Sequence, residues 1–139
     1  MSTDCQVPFE TTLHVRDTCL CLHVQRAARA LARRFDAELR PLELTNGQFS
    51  LLMSLNRPTP AGMAGVADLL AMDRTTLTAN LKPLERRGLL TVSVDPDDRS
   101  GRRLTLTDAG RALLAKAVPV WRRTHAEIER QLARPDADG

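Results

Sequence analysis

Tyrosine is absent from this chain of 139 residues, tryptophan occurs once and phenylalanine three times. A core must therefore be built from Leu, Val, Ala and Met. Cysteine is sparse and odd in number, at three. Cys19 and Cys21 stand too close for an ordinary structural bridge, so the expectation is a reduced, cytoplasmic chain. No apolar run reaches 18 residues, and residues 1–10 show no basic start leading into an apolar stretch. Neither a membrane span nor a signal peptide is expected. The chain also lacks a Gly-rich phosphate loop, a Ser or Cys nucleophile motif and a paired-acid pocket pattern. An enzyme is not expected, nor is a cofactor or a metal site. There is no internal repeat and no low-complexity segment.

What remains is ordinary in amount and informative in placement. Apolar residues make up 42% and charged residues 27%, which suits one globular domain over residues 1–139. The net charge is +3 and the pI about 9.1. That leans towards a polyanionic partner, but the position of the charge carries more than its sum. Arginines gather at 26–40, 86–103 and 122–134.

Residues 1–10 and 134–139 read as loose ends. Over residues 12–40, Leu20, Val24, Ala27, Ala28, Leu31, Phe35 and Leu39 recur at helical spacing until Pro41 stops the run. A helix of nearly 30 residues is too long for the middle of so small a domain, so part of it is expected to pack on a second subunit. Thr45 with Gln48 forms a capping box. It opens a helix carrying Phe49, Leu52, Met53 and Leu55, which Arg57-Pro58-Thr59-Pro60 ends. A short helix follows over 63–70, with Met63, Val66, Ala67 and Leu70 inward. Ala71-Met72 turns the chain, and Asp73 caps the next helix. Leu77, Leu81 and Leu84 form its buried stripe, and Gly88 ends it. Leu90, Val92 and Val94, then Leu104 and Leu106, alternate as two hairpin strands. Thr107 caps a last helix over 108–132, which Pro119 is expected to kink or split.

A short helix, a tight turn, a second helix and a basic hairpin are the order of a winged helix-turn-helix. The fold class expected is mainly α (α+β). The second helix can lie in the DNA major groove while the hairpin reaches the backbone or minor groove. Its outer face presents Arg74, Thr75, Thr76, Thr78, Asn80 and Lys82, with Arg86 one turn on. Thr and Asn can read base edges, Asn pairing with adenine, while Arg and Lys suit phosphates. Standing alone, such a face would be merely solvated; its neighbours in sequence point to DNA. Pro83 removes the bond to Ala79 and should bend the helix locally. The hairpin tip runs Asp95-Pro96-Asp97-Asp98-Arg99-Ser100-Gly101-Arg102-Arg103. A narrow A·T-rich minor groove attracts inserted arginine. Arg99, Arg102 and Arg103 are therefore candidate DNA contacts, with Asp97 assigned to hold Arg99 extended. The tip lacks the spacing and terminal Glu of a calcium loop.

The run Asp97-x-Arg99, then Leu104-Thr105-Leu106-Thr107-Asp108-x-Gly110, resembles the MarR family of bacterial transcription regulators, as does Asp73-Arg74-Thr75-Thr76-Leu77-Thr78. The resemblance covers roughly residues 13–133. It implies a homodimer joined by helices at 12–40 and 108–133, with residues 45–107 as the DNA-binding part. It also implies a palindromic double-stranded operator near a promoter and release by a small phenolic ligand or an oxidant. Ala71 departs from the glycine common in that turn and is expected to be tolerated.

Cys19 and Cys21 read first as small residues packed in an apolar helix. The family's organic-hydroperoxide-sensing branch carries a reactive Cys near this point, and Cys21 matches it best when counted from Arg29-Ala30. That branch surrounds its Cys with tyrosines, which this chain lacks. Cys5 is a weaker resolving candidate. His14, His23 and His125 are scattered, and His23 faces away from Cys21, poor geometry for a metal. Trp121 is read as packing against the first helix in preference to lining a ligand cleft. The expected function is a DNA-binding transcription regulator, most often a repressor. The alternatives are a thiol-based oxidant sensor on the same scaffold and a dimeric helical interaction protein whose basic face is solvated.

Overall fold

The computed structural model describes residues 6–133. The chain divides into two compact units, Met1–Arg34 and Phe35–Gly139.

In the first unit, α1 spans Phe9–Thr18 and α2 opens at Leu20 and runs to Leu39. The single helix expected over 12–40 is thus two, and residues 9–10, expected loose, are helical. The break falls at Cys19, whose backbone is extended (φ −65°, ψ 109°) while its N–H still donates to the Val15 carbonyl. Within the chain, α2 leaves most of its apolar stripe uncovered. Leu20 is 81% exposed, Val24 66% and Leu31 44%. Only Phe35 and Leu39, in the last turn and part of the second unit, are buried. The α2 side chains of the first unit are exposed or, at Leu22, Ala32 and Arg34, half-buried.

The second unit holds the core. After a 3-10 turn at Arg40–Leu42, α3 spans Asn46–Ser54. Its capping box is formed as expected: the Thr45 hydroxyl accepts from Gln48 N–H, and the Gln48 side chain accepts from Thr45 N–H. Leu51 is buried beside Phe49, Leu52 and Leu55, whereas Met53 lies at the surface. A two-residue strand, β1 at Ala61–Gly62, precedes α4 at Met63–Leu70. The recognition-type helix α5 spans Arg74–Arg86. The hairpin strands are β2, Leu90–Val94, and β3, Arg102–Leu106. The sheet order is β1-β3-β2, antiparallel throughout, with Ala61 opposite Leu104 and Val92 also opposite Leu104. β1 thereby fastens the helix pair to the wing.

Leu77, Leu81 and Leu84 are buried under α5, and Leu90, Leu104 and Leu106 under the sheet. Val94, expected inward, is exposed because the hairpin has already left the core at that point. α6 runs unbroken from Asp108 to Leu132 with Pro119 inside it, so the proline does not split it. A proline removes one backbone donor, and a helix anchored on both sides tolerates that loss. Leu114 and Ala117 are buried before the proline and Thr124 and Ile128 after it.

Candidate nucleic-acid interface

The turn before α5 is built from backbone that an alanine adopts only at a cost. Ala71 sits in the left-handed region (φ 53°, ψ 44°). Asp73 then caps α5: its carboxylate accepts from the backbone N–H of Thr76 at 2.7 Å and from the Thr76 hydroxyl at 3.0 Å. These bonds, the backbone one foremost, hold the Asp73 carboxyl below its ordinary value. At the other end Gly88 takes φ +72°, and its N–H donates to the Glu85 carbonyl. Arg87 donates to the Glu43 carbonyl at 2.7 Å, tying the end of α5 to the turn before α3.

The wing is shaped by its own acids. Asp98 accepts from the Ser100 hydroxyl at 2.6 Å and the Ser100 N–H at 3.0 Å. Those bonds, the hydroxyl first, lower its pKa, and the Arg74 charge adds to the effect. Arg74 also donates to the Ser100 carbonyl at 3.4 Å, so the first residue of α5 touches the wing tip.

Between α5 and the wing lies a groove of about 590 Å³ lined by Met63, Arg74, Thr75, Thr78, Ala79, Lys82, Val92, Ser100 and Arg102. Five residues expected to meet DNA thus share one surface: Arg74, Thr75, Thr78, Lys82 and Arg102. The others are placed differently. The Thr76 hydroxyl is engaged by the Asp73 cap. Asn80 points its amide to the Met72 sulfur at 3.5 Å and lines a separate recess with Thr45, Gln48 and Pro83. Arg86 bonds back to the Lys82 carbonyl. Asp97 does not hold Arg99; its carboxylate lies 3.4 Å from Arg103, which also pairs with Asp95. The spacing Asp97-x-Arg99 suggested the nearer arginine, but the hairpin brings the wing base back to the acid. Among the described residues, Arg99 keeps its guanidinium free of any carboxylate. Ser100, Val92 and Met63 also line the groove, a place the sequence reading did not give them. The strand register, which sets Val92 opposite Leu104, places Val92 there, and the Arg74 bond to its carbonyl places Ser100.

A second cleft, about 500 Å³, lies between α3, α4 and α6. Phe49, Ser50, Met53, Ser54, Leu69, Leu70, Val118, Trp121 and Arg122 line it. Trp121 lines this cleft and also packs against the core. Its ring stacks on His125 at 4.6 Å, and His125 pairs with Glu129 at 2.8 Å. Cys19 is partly exposed and Cys21 exposed, so neither is a packed core residue within the chain. The Cys21 sulfur accepts from the Gln25 amide at 3.1 Å. Cys5 lies outside the described residues. Among these no cluster of His, Cys, Asp or Glu could hold a metal, and no helix is long and apolar enough to cross a membrane.

A sequence profile of the MarR family matches residues 44–100, the stretch from the end of the 3-10 turn to the wing tip. The transcriptional regulator MosR of M. tuberculosis, solved in complex with DNA, is 40% identical over 85% of this chain and 86% of its own, with a TM-score of 0.77. The chain belongs to the MarR family. Two further relatives show how far the likeness extends. The transcriptional repressor CouR of Rhodococcus jostii, solved on a 23-mer DNA duplex, is 32% identical over 82% of this chain and 80% of its own (TM-score 0.73). Bordetella bronchiseptica BpsR, whose DNA binding is regulated by 6-hydroxynicotinic acid, is 30% identical over 78% and 77% (TM-score 0.69). In this MarR chain the helix α5 and the β2–β3 hairpin are the reading helix and wing of a winged helix-turn-helix, the fold of a DNA-binding transcription regulator.

Proposed function

We propose that the chain is a sequence-specific repressor that binds a palindromic double-stranded operator as a homodimer and is released by a small ligand. The observation that carries this is the single groove in which Arg74, Thr75, Thr78 and Lys82 of α5 meet Arg102 of the wing. One surface there holds phosphate-neutralising charge and short base-reading hydroxyls. Arg99, free at the tip, is the arginine for the minor groove. Thr76, Arg86, Asp97 and Arg103 support that surface, and Asn80 would have to leave Met72 to read a base. The regulator MosR and the repressor CouR, solved on DNA, support the reading. So does the uncovered apolar stripe of α2, which offers a second copy a surface to bury. The test is selection of bound duplexes from a random pool. A consensus with two inverted half-sites is expected; recovery of unrelated sequences with equal affinity contradicts it.

The effector site is the cleft at Trp121. Trp121 and Phe49 offer ring faces, and Arg122 offers a cation to an acid group. A small phenolic or aromatic acid fits that chemistry, and an aromatic acid, 6-hydroxynicotinic acid, regulates the DNA binding of the relative BpsR. Such an acid should quench Trp121 fluorescence and lower operator affinity in parallel, and Arg122→Ala should weaken both effects.

A second reading is favoured by one observation, the exposure of Cys21 with its sulfur accepting from Gln25. Oxidation there to a sulfenic acid would alter a face that the dimer uses. An organic hydroperoxide should then release wild type and leave Cys21→Ser bound. If both stay bound, Cys21 has no sensing role.

A further inference from the structure

The wing carries three aspartates, Asp95, Asp97 and Asp98, on the element that must approach a polyanion. Asp98 is occupied within the tip by Ser100. The other two converge on one guanidinium. Arg103 Nη2 lies 3.2 Å from Asp95 Oδ1 and 3.4 Å from Asp97 Oδ2. Asp95 Oδ1 also accepts from the Asp97 N–H at 2.9 Å, and the Asp95 N–H donates to the Gly101 carbonyl at 3.1 Å. The Asp95 side chain is 29% exposed and that of Arg103 35%, so the pair is better shielded than most surface pairs. These bonds sit where β2 and β3 leave the sheet, since Val94 opposite Arg102 is the last ladder pair.

We infer that Arg103 is a positioning residue of the wing. It clamps Asp95 and Asp97, cancels part of their charge and fixes the exit angle of the tip, so that Arg99 and Arg102 are presented to DNA while Arg103 itself touches none. This assignment rests on the DNA-binding reading above. Its consequence runs against simple charge counting. Removing a negative charge from a DNA-facing wing should tighten binding, yet Asp95→Asn should weaken it, because the clamp loosens.

The experiment measures binding to a duplex selected by the wild-type protein, over a range of salt. Asp95→Asn and Arg103→Ala should each bind roughly fivefold more weakly, the scale of one partly shielded ion pair. The double variant should be little worse than either single one. The salt slope should stay at the wild-type value for Arg103→Ala, whereas Lys82→Ala flattens it by about one unit where a phosphate contact is lost. Arg103→Lys should recover part of the loss. Tighter binding by Asp95→Asn, or a flattened slope for Arg103→Ala, overturns the assignment. Amide exchange in the DNA-free protein tests the clamp without any operator: Asp97 and Gly101 should exchange faster in Arg103→Ala. Unchanged exchange there overturns the clamp even if DNA binding holds, and failure of wild type to bind any duplex strikes the parent reading alone.

Discussion

Gly110 shows how much one residue can fix. It lies in the first turn of α6, and a Cβ added there would fall on the Leu89 carbonyl oxygen, an atom that accepts from Thr107 N–H. Gly110→Ala must push the helix off the hairpin and should cost about 1–3 kcal/mol or more. At Gly88 a Cβ meets nothing, and the only cost of alanine is the left-handed backbone, roughly 1–2 kcal/mol. Chemical denaturation of the two variants checks the order. Ala71 is the converse case, an alanine already in left-handed backbone. Ala71→Gly should be neutral or stabilising by up to about 1 kcal/mol, and a clear destabilisation would contradict the strain. The Asp73 cap and the Asp98 turn bonds set an acid limit. Asp73 and Asp98 both titrate below the ordinary 3.8 in the folded chain. They favour the folded state while ionised, and that contribution fades as the pH drops below 3.8 towards their folded values. The stability gap between wild type and Asp73→Ala should therefore be constant from about pH 5 to 8 and shrink in stronger acid. A gap that shrinks near neutrality would contradict it.

At the scale of elements, the parts governed by local chemistry were legible in the sequence. Thr45 with Gln48, Asp73, Gly88 and Thr107 mark helix ends through bonds made within a few residues, and the structure has each helix end there. The Thr107 hydroxyl does more, accepting from Gly110 N–H and donating to the Gly88 carbonyl at 2.6 Å. Thr107→Val should thus cost about 1–2 kcal/mol by losing cap and tie together. What stayed hidden depends on contacts distant in sequence. The strand β1 is two residues whose partner lies some forty residues on. The break at Cys19 has no proline or glycine to announce it. Asp97 meets Arg103 rather than Arg99 because hairpin register, not sequence distance, sets its neighbours. Of the outer-face residues read from helical periodicity, Arg74, Thr75, Thr78 and Lys82 line one groove. Periodicity could not show that Thr76 would be engaged by its own cap or that Asn80 would turn to Met72. Lys82→Ala should weaken binding to all duplexes alike and flatten the salt slope by about one unit. A sequence-selective loss would instead make Lys82 a base reader.

For the whole molecule, the uncovered stripe on α2 and the groove at α5 belong to one account. Leu20, Val24 and Leu31 expose apolar surface that a second copy would bury. Sedimentation should show a dimer at micromolar concentration, and Val24→Asp should shift it towards monomer; a stable wild-type monomer would refute the assembly. A twofold dimer sets two copies of α5 one DNA turn apart, about 34–36 Å or roughly 10 base pairs. Hydroxyl-radical footprinting on a duplex selected by the protein reads that geometry directly. The account predicts two protected tracts related by a dyad, their centres about 10 base pairs apart, with flanking minor-groove protection that Arg99→Ala removes. A single tract, an unphased footprint or none at saturating protein would contradict it.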